Sequence, residues 1–384
     1  MEAIDKIVLT MKNVPDFRKA KGQRYKLHNL LTISILAISA GADTFEDFAA
    51  FCESKQLFLQ NQGLLVGDRL PSHDLFRWIF MRLDSAAFAS LLSAWLEEAL
   101  AKAKCLPQKD ASPLPLRQIH IDGKSLRATR TTEHTRTALQ VVSAYVSEQE
   151  FCVGQLLIDG KSCEKTAIPQ LVDLLELKDS HVTIDAAGTM KQVAAKIKAK
   201  GGEYTLALKK NNKLLYQEVE DFFRVFDATQ LVSLPFTTEE NKHGRQEQRV
   251  CQVISDLQYF PDAEGWVGIR TLARVQSSQI RGGKVVTEKR YYISSLLPHA
   301  ETLAGAIRKH WTVENNLHWS LDVAFNEDKA TLKDKNAANA LSAMRRFALA
   351  IVKNAKISKN SVKTHRLMAA WDDSFLDKLF RMLS

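Results

Sequence analysis

The spacing of apolar and polar residues divides the chain into a helical beginning, an α/β middle and a helical end. Apolar residues recur at helical spacing up to about residue 105: Leu27–Ala40 predicts an apolar helix, Thr44 caps the next helix, and Ser72 opens another. We therefore predict an all-helical N-terminal domain over residues 1–105. Short helices with tight turns are typical of a DNA-binding helix-turn-helix and also of a plain packing bundle, so both interpretations stay open.

The pattern changes after a proline-containing linker at residues 106–115. Alternating apolar residues then predict three adjacent strands, followed by helices and strands in alternation. This order is typical of the mixed sheet of ribonuclease-H-like proteins, although other α/β folds share the alternation. The predicted elements are the strands Leu116–Asp122, Thr137–Ser147, Glu150–Asp159, His181–Asp185 and Tyr204–Lys209 and the helices Glu164–Leu177, Gly188–Lys200 and Lys213–Phe226.

A β-rich stretch interrupts this core and contains a hairpin turn at Arg281-Gly282-Gly283. Helical spacing returns at Ala300–Leu321 and again from about Asn336 to Lys356. The sequence thus predicts an α/β protein with three parts after the linker. They are a ribonuclease-H-like core at residues 116–232 and 299–330, a β-rich insertion at 233–298, and a basic C-terminal helical region at 331–384.

The net charge of the chain indicates which kind of partner it binds. The formal net charge is +9, which favours a polyanion. Between Lys333 and Arg366 nine basic residues stand against a single acid, which indicates either a nucleic-acid contact or a solvated helix face. Five cysteines without a CxxC pair argue against a disulfide framework and a zinc finger. With no signal peptide and no apolar run long enough to cross a bilayer, we expect a cytoplasmic, nucleoid-associated protein with no membrane contact.

Two aspartates stand in equivalent positions after predicted strands. Asp122 and Asp185 each end an apolar strand and are followed by small residues. In open α/β sheets ligands collect at the carboxyl ends of strands, and Mg²⁺ prefers carboxylate oxygens. One such Asp is more often a turn or cap residue, so the pair is the stronger signal. Asp159 has the same local sequence as Asp122, but its place at the opposite edge favours a turn residue.

The third acid is expected on a helix. His310, Glu314 and His318 are spaced by four and predict one shared helix face. An acid between two histidines on a buried face needs a cation or phosphate as partner. Two alternatives stay open: the two histidines and the glutamate themselves hold zinc, or the face is solvated.

Three sequence motifs resemble those of the DDE transposases of bacterial insertion sequences, in particular the group of H-repeat-associated proteins of Rhs elements. They are IHIDGKSL at 119–126, VTIDAAGT at 182–189 and RKHWTVENNLHWSLDVAFNED at 308–328. Residues 8–100 also resemble the family's N-terminal associated domain, and His243-Gly244-Arg245 resembles a basic motif in its β-rich insertion.

The resemblance implies a metal-binding triad of Asp122, Asp185 and Glu314 with two Mg²⁺ or Mn²⁺ ions. His310, Asn315 and His318 are expected to support Glu314. The implied partner is double-stranded DNA, at the transposon ends and in the target, bound by a homodimer or larger assembly. Candidate phosphate contacts are the basic residues Lys124, Arg245, Arg249, Arg308, Arg345 and Arg346.

The expected activity is cleavage of the transposon ends followed by strand transfer into target DNA. One alternative is a metal-dependent nuclease without strand transfer, which would share the triad. Another is an inactive DNA-binding relic, because Lys210-Asn211-Asn212, Thr331 and Ala338-Asn339-Ala340 depart from the family's usual residues.

Overall fold

The structure is a computed structural model that describes residues 3–103, 116–130, 138–158, 164–229, 234–242, 245–281 and 284–381. The predicted linker at 106–115, Asp159 and the turn at Gly282-Gly283 lie outside the described residues. Among the described residues, no single helix is both long and apolar enough to cross a membrane.

Helices dominate both ends of the chain, as the apolar spacing predicts. They are α1 (Ala3–Met11), α2 (Leu27–Ser39), α3 (Phe45–Ser54), α4 (Gln56–Asn61), α5 (His73–Arg82), α6 (Ser85–Ala103), α7 (Glu164–Leu174), α8 (Lys191–Ala199), α9 (Lys213–Thr229), α10 (Ala300–Thr312), α11 (Trp319–Phe325), α12 (Lys335–Asn354), α13 (Val362–Trp371) and α14 (Asp373–Phe380). The predicted caps are confirmed: Thr44 and Asp47 form a reciprocal capping box on α3, and Ser72 accepts from the Leu75 amide on α5.

The described strands form a nine-stranded mixed sheet in the order β3-β2-β1-β4-β5-β9-β8-β7-β6. The strands are β1 (Arg117–Ser125), β2 (Gln140–Val146), β3 (Phe151–Ile158), β4 (Ser180–Ile184), β5 (Glu203–Leu208), β6 (Phe236–Lys242), β7 (Arg245–Ile254), β8 (Thr271–Arg281) and β9 (Lys284–Ser294). The predicted mixed α/β class with flanking helical regions is therefore confirmed.

The chain divides into two compact units, which differ from the predicted domains. We call them the helical unit (Met1–Lys109, Gly123–Cys163 and Glu314–Ser384) and the sheet unit (Asp110–Asp122 and Glu164–Val313). Each takes residues from both sides of a predicted boundary, because packing joins segments that are distant in sequence.

The centre of the helical unit is α12, in which every residue from Ala337 to Val352 is buried. It packs against α2, α5, α6 and β3, and the Trp95 ring stacks on Phe347 at 5.3 Å between centroids. A helix that is covered on all sides is a core element rather than a solvated helix face. The basic residues of this stretch must therefore find partners inside the unit.

In the sheet unit, the β-rich insertion continues the core sheet. The parallel strands β1, β4 and β5 are followed by β9, which pairs antiparallel with β5 so that Leu206 lies opposite Ile293. Neighbouring residues on β9 then face opposite sides, as the period of a strand requires. Tyr291 contacts α9 through Phe223, whereas Tyr292 belongs to the apolar cluster of α10 with Leu303. Helices thus cover both faces of this sheet.

Candidate active site

Asp122 and Asp185 directly follow a residue pair of two neighbouring parallel strands. β1 pairs with β4 so that Ile121 lies opposite Ile184. Asp122 is the next residue of β1, which continues to Ser125 and so does not end at the aspartate as predicted, whereas Asp185 follows the last residue of β4 and caps a short 3-10 turn. Adjacent strands are about 4.8 Å apart, and residues in register share a face of the sheet. Both side chains are half-buried. Two carboxylates are therefore neighbours at the carboxyl edge of the sheet unit.

Backbone and lysine contacts hold the Asp185 carboxylate. Its Oδ1 accepts from the Ala187 amide at 2.9 Å, and its Oδ2 lies 3.7 Å from Lys209 Nζ, whose side chain is 68% exposed. The loop after Asp185 is tied to β5, because Thr189 donates to the Ala207 carbonyl at 2.6 Å. An exposed cation at this distance contributes little stability, so Asp185 keeps most of its capacity for another positive partner.

Gly188 has a packing role in the same loop. A Cβ at this position would lie 2.5 Å from Ile184 Cγ2 and 2.6 Å from Ile168 Cδ1. Gly188 is therefore small because the turn after Asp185 must pack against β4 and α7.

Glu164 is a further acid near Asp185 that the sequence analysis did not single out. Burial raises the pKa of Glu164, and the negative charge of Asp185 raises it further. Glu164 begins α7, where an acid is ordinarily a helix-end residue, so its position in the sequence gives no signal of this proximity.

His310 is tied to the strand that carries Asp185. Its Nδ1 lies 2.8 Å from Thr183 Oγ1, and the same hydroxyl lies 2.6 Å from His120 Nδ1. Burial lowers the pKa of His310 to about 4, against the opposing charge of Asp185, so the ring is neutral at pH 7. His120 and Thr183 were not among the predicted residues. Their signal was a polar residue two positions before each aspartate, between two apolar residues of the strand.

The helix around Glu314 is not the continuous α-helix that was predicted. Residues Val313–His318 form a π-helical segment between α10 and α11. Bonds from i to i+5 widen the turn, so residues four apart no longer stack as they do in an α-helix. The predicted shared face of His310, Glu314 and His318 is therefore wrong: His310 is half-buried, Glu314 is exposed and His318 is buried. Asn315, the other predicted supporting residue, is exposed.

The sheet unit supplies oxygen ligands of the type that Mg²⁺ and Mn²⁺ prefer, through Asp122 and Asp185. Within the part of the chain that the structure describes, no group of three or more His, Cys, Asp or Glu side chains is placed to hold a metal ion. The two aspartates thus fit a divalent metal as a partial donor set, which a further ligand must complete. Glu314 belongs to the helical unit, where it begins the last of the three chain segments.

Three of the predicted phosphate contacts are buried in the helical unit. Lys124 Nζ lies 2.6 Å from Asp322 Oδ1 and 2.7 Å from Asp328 Oδ1. Arg345 and Arg346 are each 3% exposed. These side chains are not available to DNA in this structure, because their charges are balanced by internal carboxylates and carbonyls. Their predicted role is corrected to one in the core.

Arg346 shows how the buried charges are balanced. Its guanidinium donates to Glu327 Oε1 at 2.8 Å and to Ser143 Oγ at 3.1 Å. Arg345 donates to the Asp43 carbonyl at 3.0 Å, and burial lowers the pKa of Arg345. Buried charges of this kind persist only when they are paired and hydrogen-bonded.

Arg249 and Arg308 lie on the sheet unit and share one acid. Glu240 accepts from Arg308 at 3.0 Å and lies 3.2 Å from Arg249 Nη1. Both arginines line a cavity of about 540 Å³ between the β6–β9 strands and α10, where Arg290 also stacks 5.0 Å above the Trp311 ring. Arg308 is 47% exposed, so this is where the predicted basic residues reach solvent. Arg245 begins β7.

Comparison with known proteins identifies related families. The family model of the transposase DDE domain matches residues 113–351, and the model described as DDE_Tnp_1-associated matches residues 8–96. The chain is 34% identical over 370 residues to "H repeat-associated putative transposase YhhI" of Escherichia coli K12, which covers 94% of each chain.

Two further relatives and one solved structure complete the comparison. "Putative transposase YncI" of Escherichia coli O157:H7 is 32% identical over 97% of this chain and 93% of its own, and "Putative protein YbfL" of Escherichia coli K12 is 34% identical over 94% of both. A piggyBac transposase synaptic complex with hairpin DNA aligns with 99% of this chain and 77% of its own at 12% identity, with a TM-score of 0.39.

Proposed function

The chain belongs to the family of proteins with a transposase DDE domain, and from this membership we propose that it cleaves the DNA ends of an insertion sequence and joins them to target DNA. The observation that supports the proposal is the parallel pairing of β1 with β4, in which Ile121 lies opposite Ile184 and each of the two is followed by an aspartate. Cleavage of a phosphodiester requires carboxylates at one point to hold metal ions, and this edge offers two.

The proposed metal ligands are Asp122, Asp185 and Glu314, with Mg²⁺ or Mn²⁺ as the ion. Two such ions, when bound, would activate water and stabilise charge on the attacking and leaving oxygens. The π-helical turn at Val313–His318 supports the choice of Glu314, because such turns occur frequently at functional sites. The proposal requires Glu314 to join the two strand-end acids.

The chain's own cations would position the DNA backbone. Lys209, Arg249 and Arg308 are proposed as phosphate contacts, because Lys209 faces Asp185 and Arg308 reaches solvent beside the sheet-unit cavity. Phosphate contacts fix the register of DNA without reading its sequence. Arg245 stays a proposed contact on the basis of the sequence motif alone.

Double-stranded DNA is the proposed partner, as transposon ends in the first step and as target in the second. Two ends must be held together before both are joined to one target, so we propose a homodimer or larger assembly on DNA. Hydrolysis at each end would free a 3′-hydroxyl. This hydroxyl would attack a target phosphate in line and displace the 3′-oxygen of the target strand, so that one phosphodiester replaces another with no covalent bond to the protein.

The test is a cleavage and joining assay with the purified full chain, Mg²⁺ or Mn²⁺, and labelled DNA taken from the two flanks of its gene. We expect Asp122→Asn, Asp185→Asn and Glu314→Gln each to lower cleavage at least about 100-fold, since removal of residues that merely support metal ligands already costs 10–100-fold. The matched control is Asp173→Asn. Asp173 is a half-exposed acid on α7 that pairs with Lys196, and its removal should leave cleavage unchanged.

The products separate the proposal from its alternatives. Cleavage with joined products supports a transposase. Cleavage of the same ends without joining, under every metal and target condition, would instead indicate a nuclease. DNA binding without any metal-dependent cleavage would indicate an inactive relic, and equal cleavage by the wild-type chain and Asp185→Asn would overturn the assignment of the site.

A further inference from the structure

A buried polar row lies directly behind the two strand-end aspartates. His120 and Thr183 pair across β1 and β4, two residues before Asp122 and Asp185, and therefore on the same face of the sheet. His120 is completely buried and Thr183 is 3% exposed. The Thr183 hydroxyl bridges two imidazoles, with 2.6 Å to His120 Nδ1 and 2.8 Å to His310 Nδ1.

The number of available protons decides which group donates in each of these two hydrogen bonds. The Thr183 hydroxyl has one proton, so it donates to one imidazole Nδ1 and accepts from the other. Among the described residues, His120 Nε2 is buried and has no hydrogen-bond partner. If His120 carries its proton on Nδ1, the orphaned atom is a bare acceptor; in the reverse arrangement it is a buried N–H without an acceptor.

The first arrangement is the favourable one. Orphaned N–H groups are rarer in protein interiors than acceptors left unsatisfied, and a doubly protonated His120 would bury a charge without a carboxylate partner. The direction is then His120 Nδ1–H to Thr183 Oγ1, and Thr183 O–H to His310 Nδ1. His310 must in consequence carry its proton on Nε2.

We propose that His120 and Thr183 are positioning residues that hold His310 in the Nε2–H tautomer, so that its neutral ring donates a hydrogen bond to a phosphate oxygen of DNA bound at Asp122 and Asp185. The DNA half of this inference rests on the proposed function. The half-buried His310 ring is hydrogen-bonded to Thr183, two residues before Asp185, which places the ring on the strand that leads to the carboxylate the phosphate would approach. A neutral donor suits that position, because it contacts phosphate without competing with a metal ion for the carboxylates.

The same sheet contains a matched control. His181 bonds to Gln118 Oε1 through Nδ1 and to Thr205 Oγ1 through Nε2, both at 2.9 Å. Thr205 is as buried as Thr183, at 2% exposure, and its hydroxyl continues to Ser294 at 2.8 Å. Both nitrogens of His181 are satisfied within this second row, and the row does not include His310.

The tautomer can be measured without any activity. In protein labelled with ¹⁵N-histidine, the protonated and bare nitrogens of a neutral ring give well separated signals with different couplings to the ring protons. The chain has ten histidines, and loss of one set of signals in His310→Gln assigns this ring. We expect Nε2–H for His310 in the wild type and in Thr205→Val, and a mixture of tautomers in Thr183→Val. A wild-type ring protonated on Nδ1 would overturn the proposal.

The functional arm uses substitutions that mimic each nitrogen. Thr183→Val should lower end cleavage roughly tenfold, the equivalent of one lost hydrogen bond, and Thr183→Ser should restore it, whereas Thr205→Val should cleave at the wild-type rate. His310→Gln keeps an N–H donor near the Nε2 position and should cleave roughly tenfold faster than His310→Asn, whose amide lies near Nδ1.

The two arms separate this inference from the proposed function. Wild-type cleavage by Thr183→Val, or equal cleavage by the Gln and Asn variants of His310, overturns the donor role even where the Asp185 variant is inactive. Equal cleavage by the wild type and Asp185→Asn would overturn the proposed function and the donor role with it. The tautomer measurement would still decide the direction of the hydrogen bonds among His120, Thr183 and His310. Should Thr183→Val fail to fold, the wild-type tautomer and the His310 pair decide the outcome.

Discussion

The two units differ in how far their own cations neutralise a buried or half-buried acid. In the helical unit, Glu327 is completely buried and is held by Arg346 at 2.8 Å, with Lys124 at 3.8 Å. In the sheet unit, Asp185 is half-buried and its described cation, Lys209, is mostly exposed and 3.7 Å away. The first, which we call the closed cluster, consists of Glu327 with Arg346 and Lys124, and its charges are balanced internally. In the second, the half-buried Asp185 is only weakly compensated by Lys209.

This difference separates an acid that stabilises the fold from an acid that we propose as a metal ligand. The sequence does not reveal which kind a given acid is, because it does not show which charges pack around that acid in the fold. Internal charge balance and burial reveal it, since a buried balanced cluster has no capacity for a metal ion or phosphate. The comparison predicts a stability defect when the closed cluster is broken and a binding defect when the open one is changed.

The largest stability effect is expected from Glu327→Gln. The substitution leaves the buried Arg346 and Lys124 without their carboxylate, and breaking one side of a buried ion pair costs about 3–5 kcal/mol. The free energy of unfolding, from urea titration, checks this. The control is Glu46→Gln, which removes an exposed pair with Arg77 in the same unit and should cost less than about 1 kcal/mol. Equal costs for the two variants would show that Glu327 is not the centre of a closed cluster.

The stability difference between the wild type and Glu327→Gln should depend on pH. Burial of Glu327 favours its neutral form, but the charges of Arg346, Lys124 and Arg345 outweigh it and hold the pKa of this carboxyl below the ordinary value of 4.5. A depressed folded-state pKa contributes stability above pH 4.5 that is lost as the pH falls below that value. The difference in unfolding free energy between wild type and Glu327→Gln should therefore be constant near neutrality and shrink below pH 4.5. A difference that grows on acidification would contradict this charge balance.

A smaller effect is expected from the exposed cations of the sheet unit. Arg308→Gln should weaken DNA binding modestly and lower the slope of log affinity against log salt concentration by about 1, as for one lost phosphate contact. Arg224→Gln is the control, since Arg224 is 77% exposed on the same unit and pairs with Asp221 one turn away on its own helix. Titrations of fluorescent flank DNA at several salt concentrations give both slopes. An unchanged slope for Arg308→Gln would remove this arginine from the proposed contacts.

Local rules predicted the parts of the molecule that depend on neighbouring residues. The capping box at Thr44 and the strand that ends at Ile184 follow from short-range chemistry, and both are found. The parallel pairing of β1 with β4 could be anticipated as well, because alternating strands and helices of an α/β sheet pair in parallel.

The sequence did not predict which distant residues pair with each other or where a helix departs from α-helical geometry. Arg345 and Arg346 belong to a basic stretch whose charge gives no sign that Asp43 and Glu327 neutralise it from distant segments. A spacing of four predicts an α-helical face for Glu314 and His318, and no period in the sequence marks the π-helical turn that replaces it. The hydroxyl bridge at Thr183 joins three separate segments, so it becomes visible only when they are folded together.

Direct titration of Mn²⁺ into the full chain tests whether the sheet edge holds a metal. Calorimetry or electron paramagnetic resonance on wild type, Asp122→Asn, Asp185→Asn and the control Asp173→Asn gives the affinities. We predict that each strand-end substitution weakens Mn²⁺ binding at least about tenfold while the control binds as wild type does. Wild-type affinity in both strand-end variants would contradict the assignment of Asp122 and Asp185 as metal ligands.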